Sequence, residues 1–181
     1  MLITKKILLS ILLLVLSVSC WSVSESEKQV RAMFVYNFAN FVEWPKKAFS
    51  KSTSPLQICL LGNVPFKNYL SPMSGTLIGE RELRVITTNH EEQFVGQCHI
   101  LFVGNDQKIN MKRLYSSKKY SYILSVSEQD GFLESGGIVN ILDQSNNISF
   151  DIDMDNARRR GLFISSDLLS LARNIKRLSN Q

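Results

Sequence analysis

The residue types that most often perform catalysis or bind metals are sparse in this chain. It has two histidines, His90 and His99, and neither occurs with a serine or cysteine nucleophile and an acid in a pattern typical of a catalytic triad. The dipeptide Cys98-His99 lacks the paired spacing that zinc ligands show. No phosphate loop or dinucleotide fingerprint is present. We therefore expect no catalytic residue, no metal site and no cofactor, and an enzyme is the least favoured class of function.

Asp151, Asp153 and Asp155 imitate the opening of a calcium-binding loop. In such a loop the sixth position is glycine and the twelfth is glutamate, but here they are Asn156 and Leu162. We prefer a simpler interpretation, in which an acidic strand end leads into a helix.

Aromatic and basic residues predict a binding surface for another protein. The segment from Phe34 to Trp44 is densely aromatic, and Tyr36 and Trp44 lie off the apolar stripe of a predicted helix. Exposed aromatic and arginine side chains are typical interface anchors. Three consecutive arginines end at Arg160, and because neighbours on a helix point about 100° apart, only one of them would face a given partner. We predict Tyr36, Trp44 and Arg160 as partner-binding residues.

Small polar residues follow three predicted strands and indicate a second kind of site. Asn63, Asn105 and Ser127 each lie where a buried strand ends. In a parallel sheet these ends share one edge, and ligands bind there near the point where the strand order reverses. A cleft for a small ligand is therefore an alternative, although glycine, asparagine and serine are also common in ordinary loops.

Short apolar runs alternate with helical patterns along the chain. This alternation predicts an α/β fold with three layers, in which a largely parallel sheet carries helices on both faces. The last two strands read as an antiparallel hairpin. The predicted strands are 56–61, 82–87, 100–103, 122–126, 138–142 and 148–152, with short helices at 65–70, 109–117 and 157–160.

Two longer helices frame this pattern. The first runs from about Ser26 towards Pro45, and the last closes the chain over 165–178. The predicted buried residues are Val30, Met33, Phe34, Phe38, Phe41 and Val42 on the first helix, and Leu168, Leu171, Ala172, Ile175 and Leu178 on the last.

The N-terminus predicts export. Lys5 and Lys6 precede a ten-residue, almost wholly apolar run that ends in small residues, the pattern of a secretory signal peptide, whereas a membrane span needs about 20 apolar residues. We expect a signal peptide at 1–19, a flexible segment at 20–28 and a single domain at 29–181. A lipid anchor at Cys20 is disfavoured, because Ser17 stands where a lipobox carries a large aliphatic residue.

Composition is that of an ordinary globular protein. The 181 residues are 44% hydrophobic and 20% charged, which excludes a disordered chain. The net charge of +5 is mild and scattered, so nucleic acid is not an expected partner. Outside the cytoplasm thiols tend to pair, and after Cys20 only Cys59 and Cys98 remain. We predict a disulfide between them that joins neighbouring strands, with two buried free thiols as the alternative.

An ordered set of segments resembles the YfiR-like family of exported regulatory proteins. The set spans nearly the whole mature chain, and its order is more specific than any single segment. It comprises the stretch from Tyr36 to Pro45, Ile58–Gly62 with Pro65-Phe66, Cys98–Phe102, Ser125–Ser127, Gly131-Phe132 with Gly136-Gly137, Phe150–Asp153 and the tail Gly161–Ala172.

The resemblance implies a periplasmic, non-enzymatic α/β protein. The best-described family member restrains a membrane-bound diguanylate cyclase and is itself sequestered by an outer-membrane lipoprotein, so a cyclase or another membrane sensor is the expected partner. A homodimer is a further alternative. Cys59 and Cys98 match one disulfide of the family, whereas a second pair, expected near Leu133 and Asn140, is absent here.

Overall fold

The computed structural model describes residues 23–90, 97–144 and 147–177. Within them the α-helices are α1 Val23–Phe41, α2 Lys67–Leu70, α3 Met111–Ser116, α4 Met154–Arg159 and α5 Ser166–Leu171. The strands are β1 Val42–Glu43, β2 Leu56–Leu61, β3 Leu77–Ile78, β4 Arg81–Thr88, β5 Ile100–Val103, β6 Leu124–Ser127, β7 Val139–Gln144, β8 Asn147–Asp153, β9 Phe163–Ile164 and β10 Asn174–Lys176.

Eight of these strands form one sheet in the order β10-β8-β7-β6-β5-β2-β4-β3. Strands β4, β2, β5, β6 and β7 are mutually parallel, and β8 returns antiparallel to β7 as the second strand of a hairpin. Strand β10 then pairs parallel to β8. The predicted α/β class, with a largely parallel central sheet and an antiparallel hairpin, is confirmed.

The central strands are nearly continuous apolar runs because both of their faces are covered. All four residues of β5 are buried, as are the last four of β2. On one side of the sheet Phe66, at the start of α2, meets Phe102 of β5 edge to face, with 4.8 Å between ring centroids. Phe38 of α1 packs in the same way on Phe150 of β8, at 5.4 Å. These aromatic pairs fix both helices to the sheet.

The buried face of α1 differs from the one predicted. Val30 and Met33, expected in the core, are 43% and 40% exposed. The helix is rotated so that Phe34 and Phe38 both reach Phe150, which turns the stripe of Val30 and Met33 towards solvent. The buried stripe of the helix is Ala32, Val35, Phe38 and Ala39, and Val42 of β1 follows it into the core.

The predicted C-terminal helix over 165–178 is wrong in its second half. Helix α5 ends at Leu171, because Ala172 is extended and the next residues pair with β8 as strand β10. The Arg173 backbone N–H donates to the Phe150 carbonyl, and its guanidinium binds Asp151. Leu171, expected to be buried, is 63% exposed.

Several N-terminal expectations concern residues that are not described. The predicted signal peptide, 1–19, and Cys20 lie outside the described residues. Helix α1 already begins at Val23, inside the stretch 20–28 expected to be flexible. Among the described residues, none of the helices is both long enough and apolar enough to cross a membrane.

Candidate functional site

A cysteine pair and one histidine lie in the interior of the protein. Cys59 of β2 and Cys98, which precedes β5, form a disulfide with a Cα–Cα distance of 5.8 Å. Both residues are buried. The predicted pairing is confirmed, and it joins β2 to the segment that enters the neighbouring strand.

His99 is an interior side chain, whereas His90 is exposed. The His99 ring stacks on Phe49, with 4.3 Å between centroids, and meets Trp44 edge to face at 6.0 Å. Its Nδ1 accepts a hydrogen bond from the Gln57 backbone N–H at 3.1 Å. Burial lowers the pKa of His99 to about 4, so the ring is neutral at physiological pH.

Trp44, predicted to bind a partner, is half-buried and has a role within the domain. Its indole Nε1 donates to the Tyr122 carbonyl at 2.9 Å. Tyr122 is the only non-glycine with a positive φ among the described residues, at 68°. Its ring lies over Gly161, where an added Cβ would be 3.2 Å from the nearest ring carbon. Trp44 therefore holds the strained entry to β6.

Arg160 and Tyr36 also contact the domain itself. The Arg160 guanidinium lies 4.6 Å from the centroid of the Tyr115 ring, and its Nη1 donates to the Tyr115 carbonyl at 3.0 Å. Tyr36 is half-buried against the core. The three predicted partner-binding residues are thus partly exposed and also pack within the protein, and they do not form one exposed aromatic patch. Their contact with a partner stays a prediction.

The strand ends predicted to form a ligand cleft are partly occupied by hydrogen bonds within the protein. Ser127 is fully buried, and its hydroxyl donates to the Val103 carbonyl at 2.8 Å. The Asn63 backbone N–H donates to Asp106 Oδ1 at 2.8 Å and lowers the pKa of that carboxyl. Asn63 and Asn105 are exposed, and Asn105 lines an open groove of about 320 Å³ together with Gln107 and Glu128. A ligand cleft that uses all three predicted residues stays a prediction.

The loops after β2 and β5 approach each other closely at this edge. A Cβ on Gly104 would lie 2.5 Å from the Asn63 carbonyl oxygen, so only glycine fits where the loops after β2 and β5 meet. Gln129 Nε2 then donates to the carbonyls of Gly104 and Gln107, at 2.7 Å each. The loops at the point where the strand order reverses are tied to one another.

The acidic run at the end of β8 is used in the fold. Asp151 pairs with Arg173, and Asp153 caps α4 by accepting the Asn156 backbone N–H at 2.8 Å. Asp153 also lies 3.5 Å from Lys176 Nζ. The described residues contain no group of three or more histidine, cysteine, aspartate or glutamate side chains that could hold a metal ion. The acidic strand end that leads into a helix, preferred from the sequence, is the structure observed.

Two open grooves lie beside β10 and are the candidate partner-binding surface. The first, called the basic groove, has a volume of about 420 Å³ and carries four cations, Lys112, Arg159, Arg160 and Lys176. Carboxylates of Glu134, Asp153 and Asp155 also line it. The second, called the apolar groove, has a volume of about 520 Å³, and its lining includes Met154, Leu162, Phe163, Ile164, Leu169 and Arg177.

Exposed apolar side chains mark the same region. Phe163, which lines the apolar groove together with Arg158 and Arg177, is 69% exposed, and Leu171 at the end of α5 is 63% exposed. Large exposed apolar residues rimmed by charge are typical of protein interaction sites. The sequence analysis missed both residues because it placed Leu171 in a helix core and assigned no role to Phe163. The signal that was available is the basic cluster that surrounds them in sequence, from Arg158 to Arg177.

Comparison with known proteins gives a family match and fold likenesses. A family model described as YfiR/HmsC-like matches residues 28–173. The chain is similar to a conserved domain protein from Vibrio cholerae, with 11% identity and a TM-score of 0.50, over 72% of this chain and 57% of that one. It is also similar to an ABC domain from Streptococcus pneumoniae in complex with L-Trp, with 12% identity and a TM-score of 0.45, over 67% and 56% of the two chains. This chain spans less than two thirds of either protein, and the Vibrio cholerae likeness shows the fold alone.

Proposed function

The chain belongs to the YfiR/HmsC-like family, whose members are periplasmic regulators, and from this premise we propose that it binds and restrains a membrane-bound signalling protein. The restrained protein is a diguanylate cyclase, contacted through its periplasmic part. The observation that carries the proposal is the family match over residues 28–173, which includes almost every element of the fold. The buried disulfide supports it, because such bonds persist in oxidising compartments.

The interior roles of the chemistry-bearing residues support a binding function rather than catalysis. His99 is neutral and buried, Cys59 is bonded to Cys98, and Asp153 caps a helix. What the domain presents to solvent instead is a pair of grooves with exposed apolar and cationic side chains. A surface of this kind fits a protein partner.

A regulator of this type acts through a difference in affinity. It must bind the inactive state of the cyclase more tightly than the active state. Moving a two-state equilibrium from about 99:1 to about 1:99 requires a difference in binding free energy of about 5.5 kcal/mol between the two states. A few buried aromatic or arginine side chains at an interface can supply that difference. An outer-membrane lipoprotein that competes for the same anchors would release the cyclase.

The alternative function, a small-ligand-binding domain at the strand ends, has less support. The loops there are joined by the Asn63–Asp106 hydrogen bond and by the close approach at Gly104. A groove of about 320 Å³ remains at that edge and includes Asn105, but neither Asn63 nor Ser127 lines it.

Co-purification tests the proposal. A tagged, exported copy should be recovered from solubilised membranes together with a protein that has a periplasmic part and a cytoplasmic diguanylate cyclase domain. A copy without residues 1–19 is the control and should recover no such protein, because it remains in the cytoplasm. Recovery of the cyclase by both copies, or by neither when the cyclase is expressed, would contradict the proposal.

A further inference from the structure

Strand β10 is an open edge of the eight-stranded sheet. It pairs with β8 on one side, and in the part of the chain that the structure describes no strand pairs with its other side. An edge of this kind offers unpaired backbone N–H and C=O groups to another extended segment. At the opposite edge, β4 is bonded as far as Val85 by β3 and by residues 74–76, so only its last residues are open there.

The two grooves lie against consecutive residues at this edge. Lys176, the last residue of β10, lines the basic groove, and Arg177, which follows it, lines the apolar groove. Successive side chains of a strand point to opposite faces of the sheet. A strand added beside β10 and continued past Lys176 would therefore have one side chain next to the basic groove and the following one next to the apolar groove.

The charge at this edge selects the occupant. Both Lys176 and Arg177 are exposed, and the Lys176 side chain is 47% exposed although it lies near Asp153. An edge-to-edge pair of two copies would bring four of these cations to one seam, and their repulsion disfavours a second copy of this chain. An acidic strand would instead satisfy them.

We propose that β10 is a docking edge for an extended segment of a partner protein in which acidic and apolar side chains alternate. The segment adds to the sheet through backbone hydrogen bonds, with its acidic side chains in the basic groove and its apolar side chains in the apolar groove. The inference rests on the proposed function, because the segment belongs to the protein that is bound.

A synthetic probe tests the edge without knowledge of the partner. The probe is a fluorescent peptide of about ten residues in which glutamate and valine alternate, with binding to the purified domain measured by anisotropy. We expect binding that weakens as salt is added. Failure of this peptide to bind would overturn the inference.

Two further peptides separate strand addition from simple charge attraction. In the first, lysine replaces glutamate, and we expect no binding. In the second, alternate backbone nitrogens of the original peptide are methylated so that they cannot donate to the edge, and we expect binding to be lost. Equal binding of the methylated and unmethylated peptides would contradict addition to β10.

Substitutions locate the site on the protein. The double variant Lys176→Glu with Arg177→Glu should weaken binding of the acidic peptide by about tenfold or more, because like charges then face one another. The matched control is Lys51→Glu with Lys67→Glu, which changes the net charge equally at exposed residues outside both grooves. Equal weakening by the two double variants would contradict the location.

The same variants distinguish failure of this inference from failure of the proposed function. If the wild-type protein lowers cellular cyclic-di-GMP and the Lys176→Glu, Arg177→Glu variant lowers it equally, the docking edge is wrong and the regulatory function stands. If the peptide binds as described but the wild-type protein does not affect cyclic-di-GMP, the function is wrong and the edge stands.

Discussion

At the scale of single residues, the side chains that suggest chemistry have structural roles. His99 fills a layer between Phe49 and Trp44, and Asp153 caps α4. The sequence predicted structural histidines, because no nucleophile accompanied them. It did not predict that Ser127 would be buried, since the hydroxyl acquires its partner, the Val103 carbonyl, only when β5 and β6 pair.

His99 should make stability depend on pH. Burial lowers its pKa from 6.5 to about 4, so between these values the unfolded chain binds a proton that the folded protein does not. Its contribution is fully present above pH 6.5 and is lost as the pH falls towards 4, by about 3 kcal/mol in total. Urea denaturation at several pH values in this range should show that the free energy of unfolding falls as the pH is lowered.

Matched variants assign that pH dependence. His99→Asn should reduce the dependence on pH as well as the stability, because the interior ring is removed. His90→Asn, at an exposed position, should leave both near the wild-type values. If the His99→Asn protein loses stability on acidification as steeply as the wild type, the assignment to this ring is incorrect.

At the scale of secondary-structure elements, the strands followed from the sequence better than the C-terminal segment did. Buried parallel strands are short apolar runs bounded by turn residues, and β2 and β5 lie at the predicted residues. Leu168, Leu171 and Ile175 are spaced as on a helix, yet the helix ends at Leu171 and Ile175 lies in strand β10. The free edge of β8 and the Arg173–Asp151 ion pair stabilise the alternative, and neither is visible in local spacing.

The disulfide is expected to stabilise the contact between β2 and the entry to β5. It closes a loop with a sequence separation of 39 residues, for which chain entropy predicts a contribution of about 4 kcal/mol. The double variant Cys59→Ala with Cys98→Ala should lose about that much stability in urea denaturation. Because both cysteines are buried, reductant should open the bond of the wild-type protein only when denaturant is also present.

Cys20→Ala provides the control for this experiment, since it leaves the Cys59–Cys98 pair intact. Its denaturation midpoint should match that of the wild-type protein. Rapid reduction of the native protein without denaturant would contradict the buried position of the bond.

At the scale of the whole molecule, the fold and the family could be predicted from the sequence, whereas the proposed binding surface could not. The ordered segments from Tyr36 to Ala172 predicted the family that the match over residues 28–173 shows. Phe163, Lys176 and Arg177 become neighbours of two grooves only after β10 joins the sheet. A surface assembled by an edge strand leaves no contiguous motif.

The central claim is that this protein restrains a diguanylate cyclase from the periplasm, and intracellular cyclic-di-GMP reports on it most directly. Deletion of the gene should raise cyclic-di-GMP while the cyclase is expressed, and the full-length gene should lower it again. A copy without residues 1–19 should fail to do so, because it cannot reach the periplasmic part of the cyclase. Unchanged cyclic-di-GMP on deletion, or full restoration by the copy retained in the cytoplasm, would contradict the account.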